Sequence, residues 1–192
     1  MKWNIANFIT SIRILAAPFL LYLAWSNQKT WFLILLVFSL ATDAVDGFVA
    51  RKLNQVSEWG AQLDSWGDFG LFVITPLCVW WLWPELARRE GIFILLFLAA
   101  FFLPLLIGFI KFQRLTSYHT WLAKTSGILL SLGVTILLIW KNGLVFRFSV
   151  GLFMLSALEE IAITLVLPAW QSNIPTLRHA LKNRGRNPDF FQ

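Results

Sequence analysis

The sequence predicts an all-α, polytopic membrane protein with six transmembrane helices and a short N-terminal interfacial helix. Hydrophobic residues make up 58% of the 192 residues and charged residues only 14%, whereas soluble domains carry about 25% charged residues. The apolar residues are also gathered in runs of about 20, the length of helix that crosses the hydrocarbon layer of a bilayer. Together these observations exclude an ordinary soluble domain.

Six apolar runs are predicted as the spans, and the connections between them are short. Because no second domain fits between them, residues 1–192 are predicted to form a single membrane domain. Residues 27–28 separate the first two spans, 84–91 the third and fourth, 111–120 the fourth and fifth, and 141–147 the last two. The predicted spans are residues 9–25, 30–50, 63–83, 92–110, 121–140 and 148–167.

The N-terminal segment carries polar residues at every third position, which predicts an interfacial helix with one polar face. The face would point towards a functional site, or it would simply be solvated at the membrane surface. The residues are Asn4, Asn7, Thr10 and Arg13.

Lysine and arginine set the predicted orientation, because basic residues collect on the cytoplasmic side of membrane proteins. The chain is predicted to lie in the cell (inner) membrane. If both termini are in the cytoplasm, most of the lysine and arginine residues lie on the cytoplasmic side. The net charge of +6 is then explained by basic residues beside anionic lipid, and nucleic-acid binding is not expected. The lone Cys78 excludes a disulfide framework and a thiolate metal site.

The acidic residues are the most informative feature of the sequence. Asp43 and Asp46 lie near the predicted inner end of the second span, and Asp64 and Asp68 near that of the third. On helices, spacings of three and four place each pair on one face. A carboxylate at a helix centre costs about 2.5 to 3.5 kcal/mol on insertion scales, so divalent cations are expected to compensate the charges. Oxygen ligands suit Mg²⁺ or Mn²⁺ and not zinc.

The residues around these aspartates form a longer pattern, D-x-x-D-G-x-x-A-R-x8-G-x-x-x-D-x-x-x-D. A plain set of salt bridges to Arg51 and Lys52 would not need its small residues. The pattern resembles the signature of the CDP-alcohol phosphotransferase (CDP-alcohol phosphatidyltransferase) family, with every fixed position present. Those positions are Asp43, Asp46, Gly47, Ala50, Arg51, Gly60, Asp64 and Asp68.

The resemblance implies an enzyme that moves a substituted phosphate group from a CDP-alcohol to an alcohol acceptor and releases CMP. It also implies six membrane helices, an active site facing the cytoplasm, and a homodimer. The N-terminal segment resembles that of bacterial phosphatidylglycerophosphate synthases, which favours CDP-diacylglycerol as the donor and glycerol 3-phosphate as the first acceptor to consider.

By the same resemblance, Asp43, Asp46 and Asp64 hold two Mg²⁺ or Mn²⁺ ions. Asp68 completes the metal site and acts as the general base on the acceptor hydroxyl. The two ions would bridge the diphosphate oxygens and neutralise the charge that develops on the leaving CMP.

The small residues of the signature are expected to bind the nucleotide. Gly47 and Ala50 lack bulk, so the cytidine nucleotide can approach the helix closely. Arg51 would pair with phosphate oxygens, or with one of the aspartates to stiffen the cluster.

The acceptor is left open by two departures from phosphatidylglycerophosphate synthases. Their signature continues D-P-x-A-D-K where this chain has Asp64-Ser-Trp-Gly-Asp68-Phe69, and the Arg-Glu pair at the end of the fourth helix is missing. Serine, inositol phosphate and phosphatidylglycerol are therefore alternative acceptors. The cations predicted either to bind an acceptor phosphate or to serve membrane topology are Lys111, Arg114 and Lys124.

Two glutamates, Glu159 and Glu160, stand midway along the sixth predicted span, where carboxylates usually mark a cavity or a buried partner. One of them is predicted to face the acceptor pocket, and the alternative is a protonated glutamate that makes an interhelical hydrogen bond.

Two non-enzymatic functions remain as alternatives for the chain as a whole, a divalent-cation channel and a scaffold. A channel would use an acidic ring but would not need the glycine, alanine and arginine positions of the signature.

Overall fold

The computed structural model describes residues 5–52, 58–113, 118, 120–169, 174 and 176–183. At residues 5–14, 43–52, 58–66, 68, 182 and 183 it describes the backbone alone. Helices account for nearly all of these residues, as the sequence predicts. The helices are α1 (Ile5–Trp25), α2 (Lys29–Lys52), α3 (Glu58–Leu82), α4 (Pro84–Arg89), α5 (Gly91–Phe112), α6 (Trp121–Trp140), α7 (Leu144–Val166) and α8 (Leu177–Asn183).

Each predicted span overlaps one of the six longer helices. Among the described residues, α5, α6 and α7 are long and apolar enough to cross a membrane, which agrees with a membrane protein. The first three helices contain shorter apolar segments, Leu15–Trp25, Lys29–Thr42 and Phe69–Leu82. Their remaining turns carry the polar N-terminal residues and the aspartate signature, so six spans stay a prediction.

The predicted N-terminal interfacial helix is not a separate element in the structure. Helix α1 runs without a break from Ile5 to Trp25 and contains Pro18. Before Pro18, α1 has neither a glycine nor a proline, and these are the residues that most often interrupt a helix. The polar segment and the first predicted span therefore share one helix.

Helix α4 lies within a segment that the sequence predicts as a connection. Pro84 occupies its first turn together with Glu85, and Arg88 and Arg89 lie in its last turn. Proline at the start, acid near the N-terminus and bases near the C-terminus all favour a helix. The capping residues of this helix can be seen in the sequence, but a segment of six residues is too short to show a periodic pattern of apolar residues.

Residues 1–91 and 92–192 form two compact units. In the first unit, α1 packs against both α2 and α3. The rings of Trp25 and Trp81 lie 6.1 Å apart, and those of Phe32 and Trp83 lie 5.9 Å apart. The end of α1, the beginning of α2 and the end of α3 are therefore together at one end of this unit, which we call the tryptophan end.

In the second unit, α6 and α7 pack closely because small residues line their contact. A Cβ atom at Gly133 would lie 2.9 Å from Phe146 Cα and from Ser149 Oγ. The Ser149 hydroxyl is 2.8 Å from the carbonyl oxygen of Leu129 on α6 and 2.7 Å from that of Val145 on its own helix. Small residues and hydroxyl bridges of this kind are how helices associate in membranes.

The C-terminal end of α7 packs against α8 and against Tyr118, which precedes α6 in the chain. The Tyr118 hydroxyl oxygen lies 3.1 Å from Thr164 Oγ1, and burial raises the pKa of Tyr118 above its usual range. This phenol therefore stays neutral at physiological pH. The apolar cluster that joins these segments consists of Tyr118, Ile163, Leu167, Ile174 and Ala180.

Candidate active site

The four aspartates of the signature lie on helices, as predicted. Asp43 and Asp46 belong to the C-terminal half of α2, and Asp64 and Asp68 to the N-terminal half of α3. Their backbone is helical, so the spacings of three and four do place each pair on one side of its helix. Their side chains lie outside the described part of the structure, so the metal ligands and the role of Asp68 stay predictions.

The buried face of α2 leads directly to its aspartates. Phe32, Leu36 and Ser39 are buried, with 0%, 1% and 1% of their surface exposed. At about 100° per residue, Asp43 and Ala50 lie within about 15° of the centre of this stripe. The face of α2 that packs in the first unit is thus the face on which the signature begins.

On α3 the aspartates come before the buried residues, and they also lie close to the buried face of the helix. The buried positions among the described side chains of α3 are Gly67, Leu71, Cys78, Val79 and Leu82. At about 100° per residue, Asp64 lies within about 15° of the centre of the stripe that they form, and Asp68 lies about 50° to one side.

The aspartates of the two helices also lie at similar heights in the first unit. At about 1.5 Å per residue, Asp43 and Asp46 are about 17 and 21 Å along α2 from Phe32. Asp68 and Asp64 are about 20 and 26 Å along α3 from Trp81 by the same measure. Phe32 and Trp81 are both at the tryptophan end, so the four acidic positions lie towards the opposite end.

A buried hydroxyl that no sequence pattern marks precedes the first aspartate. Ser39 is 1% exposed, and its Oγ atom has no hydrogen-bond partner among the described residues. A buried hydroxyl without a partner is unusual in a folded protein. Ser39 lies one helical turn before Asp43, so its spacing of four residues from the signature is the one feature of the sequence that places it on the same face of α2.

Lys111 has a structural partner that the sequence could not show. Its ammonium group donates three hydrogen bonds, each 2.9 Å long, to the carbonyl oxygens of Thr164, Leu165 and Leu167. An ammonium group has three N–H donors, and the last carbonyls of a helix lack partners within it. Lys111 thus caps α7, so the structure does not support a role for it in binding an acceptor phosphate.

The other two cations predicted for the acceptor differ from Lys111. Lys124 is exposed near the beginning of α6, with its ammonium nitrogen 5.6 Å from the centre of the Trp121 ring. Arg114 lies outside the described residues. Both lysines are exposed, but the Lys111 ammonium group is engaged with the end of α7, whereas that of Lys124 lies beside an aromatic ring.

Glu159 binds the backbone of α8. Its Oε1 atom accepts a hydrogen bond from the backbone N–H of Leu177 at 3.2 Å, whereas its buried Oε2 atom has no partner among the described residues. Leu177 is the first residue of α8, where backbone N–H groups lack helical partners. The structure thus favours the interhelical hydrogen bond over the acceptor pocket for this glutamate.

A sequence model of the CDP-alcohol phosphatidyltransferase family matches residues 3–170. The chain belongs to this family. The match includes both aspartate pairs and extends over α1 to α7, so the CDP-alcohol phosphatidyltransferase sequence pattern continues through both compact units.

Several curated proteins are similar to parts of the chain. A CDP-diacylglycerol–glycerol-3-phosphate 3-phosphatidyltransferase of Wigglesworthia glossinidia brevipalpis is 39% identical over 77 residues, covering 38% of this chain and 42% of the relative. An Escherichia coli K12 protein with the same description is 36% identical over 91 residues, covering 42% of this chain and 50% of the relative. A probable CDP-diacylglycerol–inositol 3-phosphatidyltransferase 2 of Arabidopsis thaliana is 45% identical over 64 residues, covering 33% and 28%.

These matches span half or less of each relative's length. No solved structure matches the chain. The family assignment therefore depends on the sequence pattern, and the substrates of this CDP-alcohol phosphatidyltransferase family member have to be proposed.

The capping role of Lys111 predicts a stability effect that sets it apart from Lys124. Lys111→Met should lower the free energy of unfolding by about 1 to 2 kcal/mol, because it removes three hydrogen bonds from a charged donor, which water replaces only in part at the partly buried carbonyls of α7. Lys124→Met should leave that free energy within about 0.5 kcal/mol of the wild type, as expected for an exposed side chain whose ammonium group has no hydrogen bond to the described residues. Denaturant unfolding in detergent micelles measures both variants, and equal stability of the two would contradict the capping role.

Proposed function

We propose that the protein is a phospholipid-synthesising transferase. It moves a phosphatidyl group from CDP-diacylglycerol, or from a related CDP-alcohol, to the hydroxyl group of a small alcohol and releases CMP. The observation that carries this proposal is the complete family signature, with Asp43 and Asp64 in line with the buried stripes of α2 and α3. The aspartates also lie at similar heights in the first unit, as a shared site requires.

The donor set of the proposed site fits two Mg²⁺ or Mn²⁺ ions, held by Asp43, Asp46, Asp64 and Asp68. Carboxylate oxygens are the ligands these hard cations prefer, and four carboxylates gathered at one site would repel each other without them. When bound, the two ions would neutralise the diphosphate and the charge that develops on the leaving CMP.

In the proposed reaction, Asp68 accepts the proton of the acceptor hydroxyl as that oxygen bonds to the β-phosphorus of the donor. The bond between this phosphorus and the oxygen of the CMP phosphate breaks, and CMP leaves with the electron pair. The phosphatidylated acceptor, CMP and one proton are the products. Most of the catalysis is orientation and charge stabilisation, for which residues on rigid helices are suited.

The nucleotide is proposed to lie beside Gly47 and Ala50. Ala50 continues the buried stripe of α2 and has only a methyl group, so a nucleotide can approach the helix there. Arg51 lies on the next helical position, from which its five N–H donors can reach phosphate oxygens in pairs.

Glycerol 3-phosphate is the acceptor that we propose first. Two of the relatives described above carry glycerol 3-phosphate in their names, and the N-terminal segment resembles phosphatidylglycerophosphate synthases. The third relative carries inositol in its name. Since the residues after Asp64 depart from the phosphatidylglycerophosphate synthase pattern, the experiment has to include other acceptors.

We propose that α1 to α3 and α5 to α7 are six spans of the inner membrane in a homodimer, with both termini and the active site in the cytoplasm. Spans that run in the same direction end on the same side of the membrane. Lys111 near the end of α5 bonds to the carbonyls at the end of α7, which supports this arrangement for the second unit.

CMP release by the purified protein tests the proposal. The protein in detergent receives CDP-diacylglycerol with Mg²⁺, with Mn²⁺ or with EDTA, and each mixture is divided among glycerol 3-phosphate, serine, inositol, inositol phosphate and phosphatidylglycerol. We expect metal-dependent release that one acceptor stimulates, with the lipid product identified by mass spectrometry. Folded protein that releases no CMP with any acceptor would overturn the proposal, and Mn²⁺ entry into vesicles without CMP release would favour a channel.

A further inference from the structure

Arg13 continues the buried face of α1. Among residues 15–25, where the structure describes the side chains of this helix, Ala16, Ala17, Leu20 and Ala24 are buried, with at most 9% of their surface exposed. At about 100° per residue, Arg13 lies within about 10° of the centre of this stripe. The stripe belongs to the helix that packs against both α2 and α3, so an arginine occupies the face of α1 next to the two aspartate-bearing helices.

The other polar residues of the N-terminal segment leave that face. Three residues rotate a helix by about 300°, which is about 60° less than a full turn. Residues spaced by three therefore move steadily away from one face, so that Thr10 lies about 65° and Asn7 about 125° from the centre of the stripe. The spacing of polar residues in the sequence suggested one shared face. The buried positions of α1 single out Arg13.

Arg13 is also at the height of the aspartates, because α1 and α3 run in the same direction. A Cβ atom at Gly70 would lie 3.8 Å from Ala17 Cβ, and further along both helices the rings of Trp25 and Trp81 meet at 6.1 Å. Arg13 is about 6 Å before Ala17 along α1, and Asp68 and Asp64 are about 3 and 9 Å before Gly70 along α3. Arg13 therefore lies between the levels of the two α3 aspartates.

The charges of the proposed site leave a role for this arginine. Four aspartates and two divalent cations balance to zero, and Arg51 would offset one of the two negative charges of a CDP-alcohol diphosphate, so one negative charge of the donor stays uncompensated. An acceptor phosphate adds further negative charge. Arginine binds phosphate oxygens in pairs and stays protonated when it is buried, and a buried charge without a partner is costly.

We propose that Arg13 binds a phosphate group of a substrate in the active site formed by α2 and α3. This inference rests on the proposed transferase function and adds a residue from α1, outside the signature. Two phosphates present the same chemistry, the diphosphate of the donor and the phosphate of an acceptor such as glycerol 3-phosphate. The experiment separates them.

The test compares Arg13→Gln and Arg13→Lys with the wild type and with Arg88→Gln, a change at an exposed arginine of α4. The affinity for CDP in the presence of Mg²⁺ is measured by calorimetry, the KM for the acceptor by CMP release, and the Tm by thermal unfolding. Arg13→Gln should weaken CDP binding or raise the acceptor KM by about tenfold or more, since hydrogen bonds to charged groups are lost. Arg13→Lys should fall in between, and Arg88→Gln should match the wild type.

The constant that changes identifies the phosphate. A weaker CDP affinity assigns Arg13 to the donor, and a higher acceptor KM with normal CDP affinity assigns it to the acceptor. Both constants within twofold of the wild type in Arg13→Lys and Arg13→Gln would overturn the inference, as would a lower Tm with unchanged binding, which would make Arg13 a structural partner of the aspartates. If Arg13→Gln does not fold, the Arg13→Lys constants decide. A wild type that releases no CMP would reject the transferase function itself.

Discussion

Asp68→Asn is expected to lower CMP release by about 1,000-fold or more at saturating substrate. The change keeps the shape of the side chain but removes a base that contributes about 10² to 10⁴ in rate, and it also weakens one oxygen ligand of the proposed metal site. CMP release from CDP-diacylglycerol measures the loss. Asp189→Asn is the matched control, because Asp189 is the one aspartate outside the signature, and it should retain wild-type activity.

A second variant separates the two roles given to the aspartates. Asp43→Asn should raise the Mg²⁺ concentration needed for half-maximal activity, whereas Asp68→Asn should stay slow even at saturating Mg²⁺. If Asp68→Asn keeps more than a tenth of the wild-type rate while its Tm is unchanged, Asp68 is not the general base. Full recovery of Asp68→Asn by added metal would make it a ligand only.

Sequence periodicity was sufficient to place the six long helices and the aspartates on them, because apolar runs and the spacing of the signature are local properties of the chain. The boundaries moved most at α3, which begins at Glu58 although the apolar run begins at residue 63. Polar residues extend a helix beyond its apolar part, and an apolar template cannot detect them. The same limitation hid α4 and α8.

Contacts between residues that are far apart in the chain could not be predicted from the sequence. Lys111 and Thr164 are 53 residues apart, and Glu159 and Leu177 are 18 apart. Nothing in either pair marks the other residue, since a lysine near a helix end serves membrane topology equally well. The continuation of the buried stripe of α1 to Arg13 also needed the burial of Ala16, Ala17 and Leu20, which the structure supplies.

These long-range contacts change how the two units are interpreted. The first unit carries every residue of the signature, and the described contacts of the second unit hold the ends of its own helices together. A cation and a carboxylate that the sequence marked as acceptor ligands, Lys111 and Glu159, are engaged with helix ends. Within the first unit, Arg13 is then the first residue to test for acceptor binding.

Gly133→Ala is expected to destabilise the protein by about 1 to 3 kcal/mol, the cost of overpacking a close contact. The added Cβ atom would lie 2.9 Å from Phe146 Cα, and a backbone atom cannot rotate away as a flexible side chain can. Helices α6 and α7 would have to separate, which would stretch the 2.8 Å hydrogen bond from Ser149 to the Leu129 carbonyl. This cost outweighs the gain of about 0.5 to 1 kcal/mol that alanine normally brings to a helix.

Gly127→Ala on the same helix is the control, because a Cβ atom there meets nothing within 4 Å. It should raise the free energy of unfolding by about 0.5 to 1 kcal/mol, since only the helix preference changes. Denaturant unfolding of both variants in the same detergent should therefore give shifts of opposite sign. If Gly133→Ala is as stable as Gly127→Ala, the close approach of α6 and α7 at Gly133 is wrong, and the helices meet through larger side chains elsewhere.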